Sequence, residues 1–200
     1  MKGKNKWYSV LYAILWCFIF PFHPIRSVGR ERLPEGGALL CGNHTTASDP
    51  FCVVFGVGRE PQCRVMAKEE LMRIPLVGFL LKKAGIIGVN RGKADVGAAK
   101  ETIKALKNGE KLLLFPEGTR IAEGEESSAH NGAAMFATRT GVPVVPVYIP
   151  RKKRWFRFTT VVFGEPYMPQ YEGRRPTPED YDRIAGEIME KINALKEQAA

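Results

Sequence analysis

The chain has 200 residues, enough for one domain of ordinary size that buries most of the surface its unfolded form would expose. An apolar content of 44% and a charged content of 26% are those of a globular protein, and they exclude a disordered chain and a membrane protein with many spans. The 30 lysines and arginines exceed the 21 aspartates and glutamates, and the formal net charge of +9 favours anionic partners: phosphate groups, acidic lipid surfaces, acidic proteins or nucleic acid.

The first predicted element is an apolar helix at the N-terminus. After the basic opening MKGKNK, residues 7–22 carry no charge, and a helix of this length, about 24 Å, is shorter than the ~30 Å hydrocarbon core of a bilayer. A signal peptide, a short or tilted span, a helix in one leaflet and a buried core helix all fit this composition, although no small-residue cleavage site follows it. Its tryptophans and tyrosines suit a headgroup interface, and the preceding lysines suit an anionic cytoplasmic surface. We therefore expect residues 1–24 to form a membrane-associating helix at the cytoplasmic face of the cell membrane.

Short apolar segments bounded by Gly, Pro or Asn predict strands in the remainder of the chain. They lie at residues 38–41, 64–66, 85–89, 111–115 and 144–149. Residues 95–108 have helical periodicity and end at Asn108-Gly109, and a last helix opens at Thr177-Pro178 with an acidic first turn. This alternation predicts an α/β fold, a single domain with a mixed, largely parallel central sheet flanked by helices, plus the N-terminal hydrophobic helix.

The cysteines indicate a reducing compartment. Cys17, Cys41, Cys52 and Cys63 form no CxxC pair, and three of them lie within or beside apolar segments, where a free thiol packs as a small hydrophobe. His44 is close to Cys41 in sequence, but no second pair of ligands completes a four-coordinate site. We therefore expect no metal.

The first polar cluster, GNHTTASDP at residues 42–50, directly follows a predicted strand. Asp49-Pro50 is typical of a helix N-cap followed by the first helical residue, which places His44 on the loop before the helix. Such a loop can bring the imidazole to the Asp49 carboxylate, which would fix the ring tautomer and leave the other ring nitrogen as a base. The alternative is a structural histidine beside a capping aspartate.

Three further strand ends carry cations, and ligands of an α/β sheet collect on the loops that leave the carboxyl ends of its strands. In FPEGTR, Gly118 permits a tight turn and Arg120 presents a planar fork suited to phosphate. Arg91 lies at the tip of the basic loop in GVNRG, and Lys68 follows the short strand that precedes KEEL. Each feature alone also fits an ordinary turn with surface cations.

Together the blocks GNHTTASDP, GVNRG, FPEGTR and VPVVPVYI, in this order, resemble those of the glycerolipid acyltransferase family, of the bacterial 1-acylglycerol-3-phosphate acyltransferase type. The resemblance covers residues 33–166 and implies that His44 is the catalytic base and Asp49 its orienting partner, in an acyltransferase domain of residues 25–200. It also implies a set of residues that hold the phosphoglycerol group of the acyl acceptor: Lys68, Arg91, Glu117, Gly118, Thr119 and Arg120. Family members often carry Lys-x-Gly-Ala after the third block, whereas this sequence has His130 at the lysine position.

The resemblance implies transfer of a fatty acyl group from a thioester to the sn-2 hydroxyl of lysophosphatidic acid, which forms phosphatidic acid in phospholipid biosynthesis. His44 would take the hydroxyl proton as the oxygen attacks the thioester carbonyl, and positioning plus a base would suffice without a bound cofactor. Acyl-CoA or acyl carrier protein would be the co-substrate, and the sequence does not distinguish them. Backbone N–H groups near His44 or Gly118 are candidates for stabilising the oxyanion.

Three alternatives to this activity stay open. Ser48 activated by His44 could form an acyl-enzyme, although a free hydroxyl on the acceptor makes that step unnecessary. Another lysolipid could be the acceptor. A non-catalytic basic module that binds membranes or nucleic acid is the third alternative, but a binding module has no need of a positioned base.

The segment RKKRWFRF, residues 151–158, interleaves basic and aromatic side chains. This pattern fits a single-stranded nucleic acid, an edge strand guarded by charge, or a surface that rests on anionic lipid. The apolar N-terminal segment in the same chain favours lipid. We therefore expect anionic membrane lipids, lysophosphatidic acid and the acyl carrier as partners, and no nucleic acid.

Overall fold

A computed structural model of the chain describes residues 5–90, 95–118 and 131–199. Within these residues, seven strands form one sheet in the order β1-β7-β6-β2-β5-β3-β4. The strands are β1 Ile25–Val28, β2 Ala38–Gly42, β3 Cys63–Lys68, β4 Ile87–Val89, β5 Lys111–Leu114, β6 Val144–Tyr148 and β7 Thr159–Phe163. The helices are α1 Lys6–Ile19, α2 Asp49–Val57, α3 Glu69–Arg73, α4 Val77–Ala84, α5 Val96–Lys107, α6 Gly132–Thr140 and α7 Pro178–Ala194. Two 3-10 helices, Arg30–Arg32 and Lys196–Ala199, follow β1 and α7.

The sheet is mixed and largely parallel, as predicted. Strands β6, β2, β5, β3 and β4 run parallel to one another, whereas β7 pairs antiparallel with β6 and parallel with β1. The strands predicted from apolar segments are these five parallel strands. Their carboxyl ends meet at one edge of the sheet, where ligand sites of α/β proteins collect.

The prediction missed β1 and β7, which lie together at one side of the sheet. β1 reads IRSV, a short segment that carries an arginine, and β7 directly follows the basic segment 151–158, whose charges obscured the signal of the apolar residues beyond it. That basic segment is a loop between β6 and β7, so the expectation that it could be an edge strand is wrong. β4 begins at Ile87 instead of Gly85, because Gly85 ends α4 in the left-handed conformation with φ of +83°.

The central strand β2 shows how the two faces of the sheet are covered. All of its residues are buried, and successive side chains point to opposite faces. Leu39 and Cys41 pack in a cluster with residues of α5, α6 and α7, whereas Ala38 and Leu40 pack with residues of α2. The two predicted helices are confirmed as α5 and α7, and Thr177 and Asp180 form a reciprocal capping box at the start of α7.

α1 packs against α2 and α4 as part of the domain. Tyr8 and Tyr12 are buried in a cluster with Phe55 and Ala84, and the Cys63 N–H donates to the Tyr8 hydroxyl at 3.3 Å. The opposite face of α1 is exposed and apolar, with Trp7, Val10, Ile14 and Phe18. In the part of the chain that the structure describes, every helix falls short of the length and apolar character that a membrane crossing needs.

Candidate active site

His44 on the loop that leaves β2 and Asp49 at the start of α2 form a buried hydrogen-bonded pair. His44 Nδ1 lies 3.0 Å from Asp49 Oδ2, and the two residues are 6% and 0% exposed. The same carboxylate oxygen accepts the backbone N–H groups of Thr45 at 2.6 Å and Thr46 at 2.7 Å. The loop therefore wraps around the Asp49 carboxylate and holds it against the imidazole.

Asp49 lies at a different helix position from the predicted one. The N-cap of α2 is Ser48, and Asp49 is the first helical residue. Its carboxylate receives donors from the preceding loop instead of capping its own helix. The alternative reading of Asp49 as a capping residue is therefore wrong, and the predicted contact between Asp49 and His44 is present.

Asp49 is held in its ionised form. Burial by itself would raise the pKa of this carboxyl, but hydrogen bonds from His44, Lys153 and the Thr46 N–H, with the charge of Lys153, outweigh burial and hold the pKa well below its usual range. An ionised carboxylate accepts a hydrogen bond from Nδ1–H of His44. The proton of the neutral imidazole then sits on Nδ1, and Nε2 carries the lone pair of a base.

The imidazole is also held from its other sides. The His44 ring stacks on Phe115 with 4.2 Å between centroids and 17° between planes, and the His44 backbone N–H donates to Glu117 Oε2 at 2.7 Å. Asn43 ties the loop to the end of β6, since its amide donates to Ile149 O and accepts from Ile149 N, both at 2.8 Å. Sequence reasoning missed Asn43, although an amide directly before the histidine at the end of a buried strand is a signal for such a clamp.

Lys153 is the second residue that sequence reasoning missed. Its Nζ lies 2.6 Å from Asp49 Oδ1 and 3.0 Å from Thr46 Oγ1, and its side chain is 6% exposed. For this residue the prediction of a lipid-facing side chain is wrong. The sequence did contain a signal for Lys153, because this lysine follows the carboxyl end of β6. The loops at the carboxyl ends of the other parallel strands were searched for cations, and the same search applied to β6 finds Lys153.

A cavity of about 450 Å³ lies beside His44, between the sheet edge and α1. Most of its lining is apolar, and Lys68, the last residue of β3, is exposed and lines it together with His44. The residues that line the cavity are Tyr8, Leu11, Tyr12, Leu15, His44, Ala47, Pro50, Phe51, Val54, Cys63, Val65, Met66, Ala67, Lys68, Leu71, Leu81, Ile86 and Phe115.

The structure describes only some of the other predicted site residues. Gly118 has a φ of +67° and closes a turn in which its N–H donates to Phe115 O at 3.0 Å. Glu117 is buried against the His44 loop, and its contact with an acyl acceptor stays a prediction. Arg91, Thr119, Arg120 and His130 lie outside the described residues.

Four of the backbone N–H groups near His44 and Gly118, which were candidates for stabilising an oxyanion, have partners within the protein. His44 N donates to Glu117, Thr45 N and Thr46 N donate to Asp49, and Gly118 N donates to Phe115 O. These four hydrogen bonds support the loops. Across residues 5–90, 95–118 and 131–199, no cluster of three or more His, Cys, Asp or Glu side chains is placed to share a metal ion.

Comparison with known proteins identifies relatives that match over much of the chain. The sequence model of a family described as Acyltransferase matches residues 24–150. A 1-acyl-sn-glycerol-3-phosphate acyltransferase from Borreliella burgdorferi is 32% identical over 133 residues, which are 64% of this chain and 52% of the relative. A protein of the same name from Pseudomonas aeruginosa is 28% identical over 187 residues, 86% of this chain and 71% of that relative.

A solved structure shares the fold. The crystal structure of the 1-acyl-sn-glycerophosphate (LPA) acyltransferase PlsC from Thermotoga maritima superimposes with a TM-score of 0.69 at 24% identity, and the match covers 100% of this chain and 84% of that one. The chain spans only part of the length of its curated relatives. The match covers 52% of the Borreliella burgdorferi protein and 39% of a 1-acyl-sn-glycerol-3-phosphate acyltransferase from Arabidopsis thaliana.

Proposed function

The chain belongs to the Acyltransferase family, whose sequence model matches residues 24–150, and from this premise we propose that it acylates lysophosphatidic acid to phosphatidic acid. The acyl group comes from a thioester and enters at the sn-2 hydroxyl of the acceptor. One observation carries the proposal: the buried His44–Asp49 pair borders an apolar cavity that Lys68 also lines. A base, a chamber for hydrocarbon and a cation at one place are what acyl transfer to an anionic lysolipid requires.

His44 Nε2 is the base in this mechanism, because Nδ1 is engaged by Asp49. Nε2 takes the proton of the sn-2 hydroxyl as its oxygen attacks the thioester carbonyl. The tetrahedral species collapses, the carbon–sulfur bond breaks, and the leaving thiolate receives the proton from the imidazolium. Asp49 stabilises the imidazolium while it exists, and the held ring lowers the entropic cost of the attack.

The cavity of about 450 Å³ beside His44 is the proposed site of an acyl chain. Its volume falls in the range of small-molecule sites, and such sites combine an apolar lining with a few polar groups that set orientation. Leu11 and Leu15 of α1 and Phe51 and Val54 of α2 all line this space. A chain in this position leaves its carbonyl end beside the imidazole.

The phosphate of the acceptor is the proposed partner of Lys68 and of the arginines predicted from the sequence, Arg91 and Arg120. Lys68 supports the assignment because it is exposed and lines the same cavity as His44. Thr119 and Gly118 complete the proposed phosphoglycerol site. The co-substrate is acyl-CoA or acyl carrier protein, and no bound cofactor enters the proposal.

The exposed apolar face of α1 is the proposed contact with anionic lipid at the cytoplasmic face of the cell membrane. Phe22, just beyond α1, is also exposed and contacts Trp155 and Phe156, with ring centroids 6.1 Å and 5.7 Å apart. Trp155, Phe156 and Phe158 are all more than 60% exposed. Aromatic side chains beside basic ones suit the headgroup region of an anionic membrane, and the other face of α1 packs on the domain.

The test is an acyl-transfer assay with purified protein, a panel of lysolipids and both donors. We expect phosphatidic acid from lysophosphatidic acid with at least one donor, detected by mass spectrometry, and a rate at least about 10³-fold lower for the His44→Ala variant. If the protein acylated only a different lysolipid, that lysolipid would be the acceptor in place of lysophosphatidic acid. Absence of transfer from folded wild-type protein to every lysolipid would overturn the proposed function.

A further inference from the structure

Lys153 brings a buried positive charge to the catalytic pair from a third loop. Its Nζ is 2.6 Å from Asp49 Oδ1, and the two side chains are 6% and 0% exposed. An ion pair this far from water is stable only when its geometry is good and the remaining acceptor sites are satisfied. Both conditions hold here, since Thr46 Oγ1 adds a hydrogen bond at 2.8 Å to the same carboxylate oxygen.

The two oxygens of the Asp49 carboxylate have separate sets of donors. Oδ1 accepts from Lys153 and the Thr46 hydroxyl, whereas Oδ2 accepts from His44 Nδ1 and the N–H groups of Thr45 and Thr46. Lys153 is the only cation among these donors. Without it, the carboxylate would be charged and buried with one oxygen poorly satisfied, and it would rotate or take up a proton.

The loop that carries Lys153 is fixed at both ends, so its backbone, and not only the side-chain rotamer, places the lysine beside Asp49. Asn43 clamps Ile149 at its start. At its end, Phe156 N donates to Phe22 O at 2.8 Å and Thr159 N donates to Pro24 O at 2.9 Å. Neighbouring Lys152 is exposed, which makes it a matched control with the same charge.

We propose that Lys153 is a positioning residue for acyl transfer: it holds Oδ1 of Asp49 so that Oδ2 stays on Nδ1–H of His44 and Nε2 faces the substrate. The role rests on the proposed function, because it acts through the base that this function requires. Lys153 touches no reacting atom. Its removal is therefore expected to change kcat and the pH profile and to leave the KM for both substrates nearly unchanged.

Charges around the pair set the expected direction of the pH effect. Among the residues that the structure describes, the other titratable groups at the pair are Glu117, which accepts from the His44 N–H, and Cys52 on α2. Those that line the cavity beside the pair are Lys68, Tyr8, Tyr12 and Cys63. Burial raises the pKa of the Cys52 thiol to about 12, so this group stays neutral at working pH. Loss of the Lys153 charge leaves the negative carboxylate uncompensated and favours a proton on the pair, so the acidic limb of activity moves to higher pH.

The experiment compares Lys153→Met, Lys153→Arg and the control Lys152→Met in steady-state assays across pH, with detergent-dispersed substrate so that the lipid contact expected of residues 151–158 does not enter the rates. We expect Lys153→Met to lower kcat about 100-fold and to displace the acidic limb upward, Lys153→Arg to recover part of the rate, and Lys152→Met to match the wild type. Thermal unfolding checks that each variant is folded. Lys153→Gln, which keeps an N–H donor without the charge, replaces the Met variant if that one does not fold. A Lys153→Met or Lys153→Gln enzyme with wild-type kcat and an unmoved acidic limb would overturn the role.

A double-mutant cycle separates positioning from general support of the fold. In an Asp49→Asn background, Lys153→Met should cause no further loss of kcat, because the group through which it acts is gone. An equal loss in both backgrounds would show that Lys153 does not act through Asp49, and the proposal would fail.

Proton NMR separates this proposal from the proposed function. The Nδ1–H signal of His44, identified by its loss in His44→Ala, should be sharp at low field in wild type and in Lys152→Met and weakened or absent in Lys153→Met. If wild-type protein acylates no lysolipid, the proposed function fails, and this signal still tests the positioning. An unchanged signal in Lys153→Met overturns the positioning role whatever the activity.

Discussion

The cavity beside His44 has two walls that are held by different kinds of contact. The catalytic wall consists of the loops after β2 and β5, with His44 and Phe115 at the cavity and Asp49 buried behind His44. Directional hydrogen bonds hold this wall to groups far away in sequence, such as Glu117 and Lys153. The helical wall consists of Leu11 and Leu15 of α1 with Phe51 and Val54 of α2. Aromatic packing supports it, with Tyr12 and Trp16 edge-on to Phe55 at 5.5 Å and 5.3 Å.

This difference determines how each wall responds to change. A hydrogen-bonded network of buried charges loses most of its function when one member is removed, because the remaining groups are left unsatisfied. Apolar packing responds in proportion to the area and volume that are changed. We therefore expect abrupt losses of activity on the catalytic wall and graded changes of preference on the helical wall.

The largest expected effect comes from His44→Ala. The variant loses the base and should fall in kcat by about 10³- to 10⁴-fold, while binding of lysophosphatidic acid is retained because the loop is held through backbone N–H groups. Single-turnover kinetics and equilibrium binding measure the two quantities separately. A variant that keeps more than a few per cent of the wild-type rate would show that His44 is not the catalytic base. An acyl-enzyme trapped with the wild-type protein would show that transfer is not direct.

Asp49→Asn should follow, with a loss in kcat of about 100-fold, because the imidazole remains but its tautomer is no longer enforced. The variant also leaves Lys153 buried without its anion, a change that costs on the order of 3–5 kcal/mol in the free energy of unfolding at neutral pH. Kinetics and denaturant unfolding measure these effects. A stable variant of unchanged activity would show that the catalytic wall is not a coupled network.

The pH dependence of the same variant has a defined sign. The pKa of Asp49 is lower in the folded protein than its usual range, so its ionisation contributes stability that is present above the unfolded pKa of about 3.9. That contribution declines as the pH falls through the folded value. The difference in unfolding free energy between wild type and Asp49→Asn should therefore narrow below about pH 4.

Leu15→Trp tests the helical wall. The larger side chain reduces the cavity, so the ratio of kcat/KM for long against short acyl chains should fall by about tenfold, with little change in kcat for the short chain. Competition assays with mixed donors give this ratio directly. A uniform loss for all chain lengths would place Leu15 in the support of the catalytic wall.

The outer face of α1 should have a smaller and separable effect. Ile14 and Phe18 are 44% and 72% exposed, and we expect Ile14→Ser/Phe18→Ser to weaken binding to anionic vesicles roughly tenfold through lost apolar contact. Activity on detergent-dispersed substrate should stay near wild type. Val96→Ser is the matched control, since Val96 is 61% exposed on α5. If wild type, the double variant and Val96→Ser bound vesicles equally well, the outer face of α1 would not be a membrane contact.

The same contrast explains what the sequence could predict. Apolar segments and turn residues reveal the five parallel strands, and the short spacing between His44 and Asp49 reveals their pairing, because both are local features. Lys153 and Asn43 act across more than 100 positions of sequence, and residue type alone does not say that one lysine of RKKR turns inward. β7 was missed for a related reason. It is buried because it pairs with β1 and β6, which are distant or separated in sequence, whereas the residues directly before it are basic and suggest an exposed segment.

Thr177→Ala gives the smallest effect and calibrates the others. Thr177 caps α7 by accepting the Asp180 N–H at 3.2 Å, on the face of the sheet opposite α2. Loss of such a cap costs about 1 kcal/mol in the free energy of unfolding, and denaturant titration measures it. Because α7 lines neither wall, kcat, the acyl-chain ratio and vesicle binding should all stay at wild-type values. A drop in kcat for this variant would mean that modest destabilisation alone slows turnover. The losses expected on the catalytic wall would then have to be compared at equal stability before they are assigned to the His44–Asp49 pair.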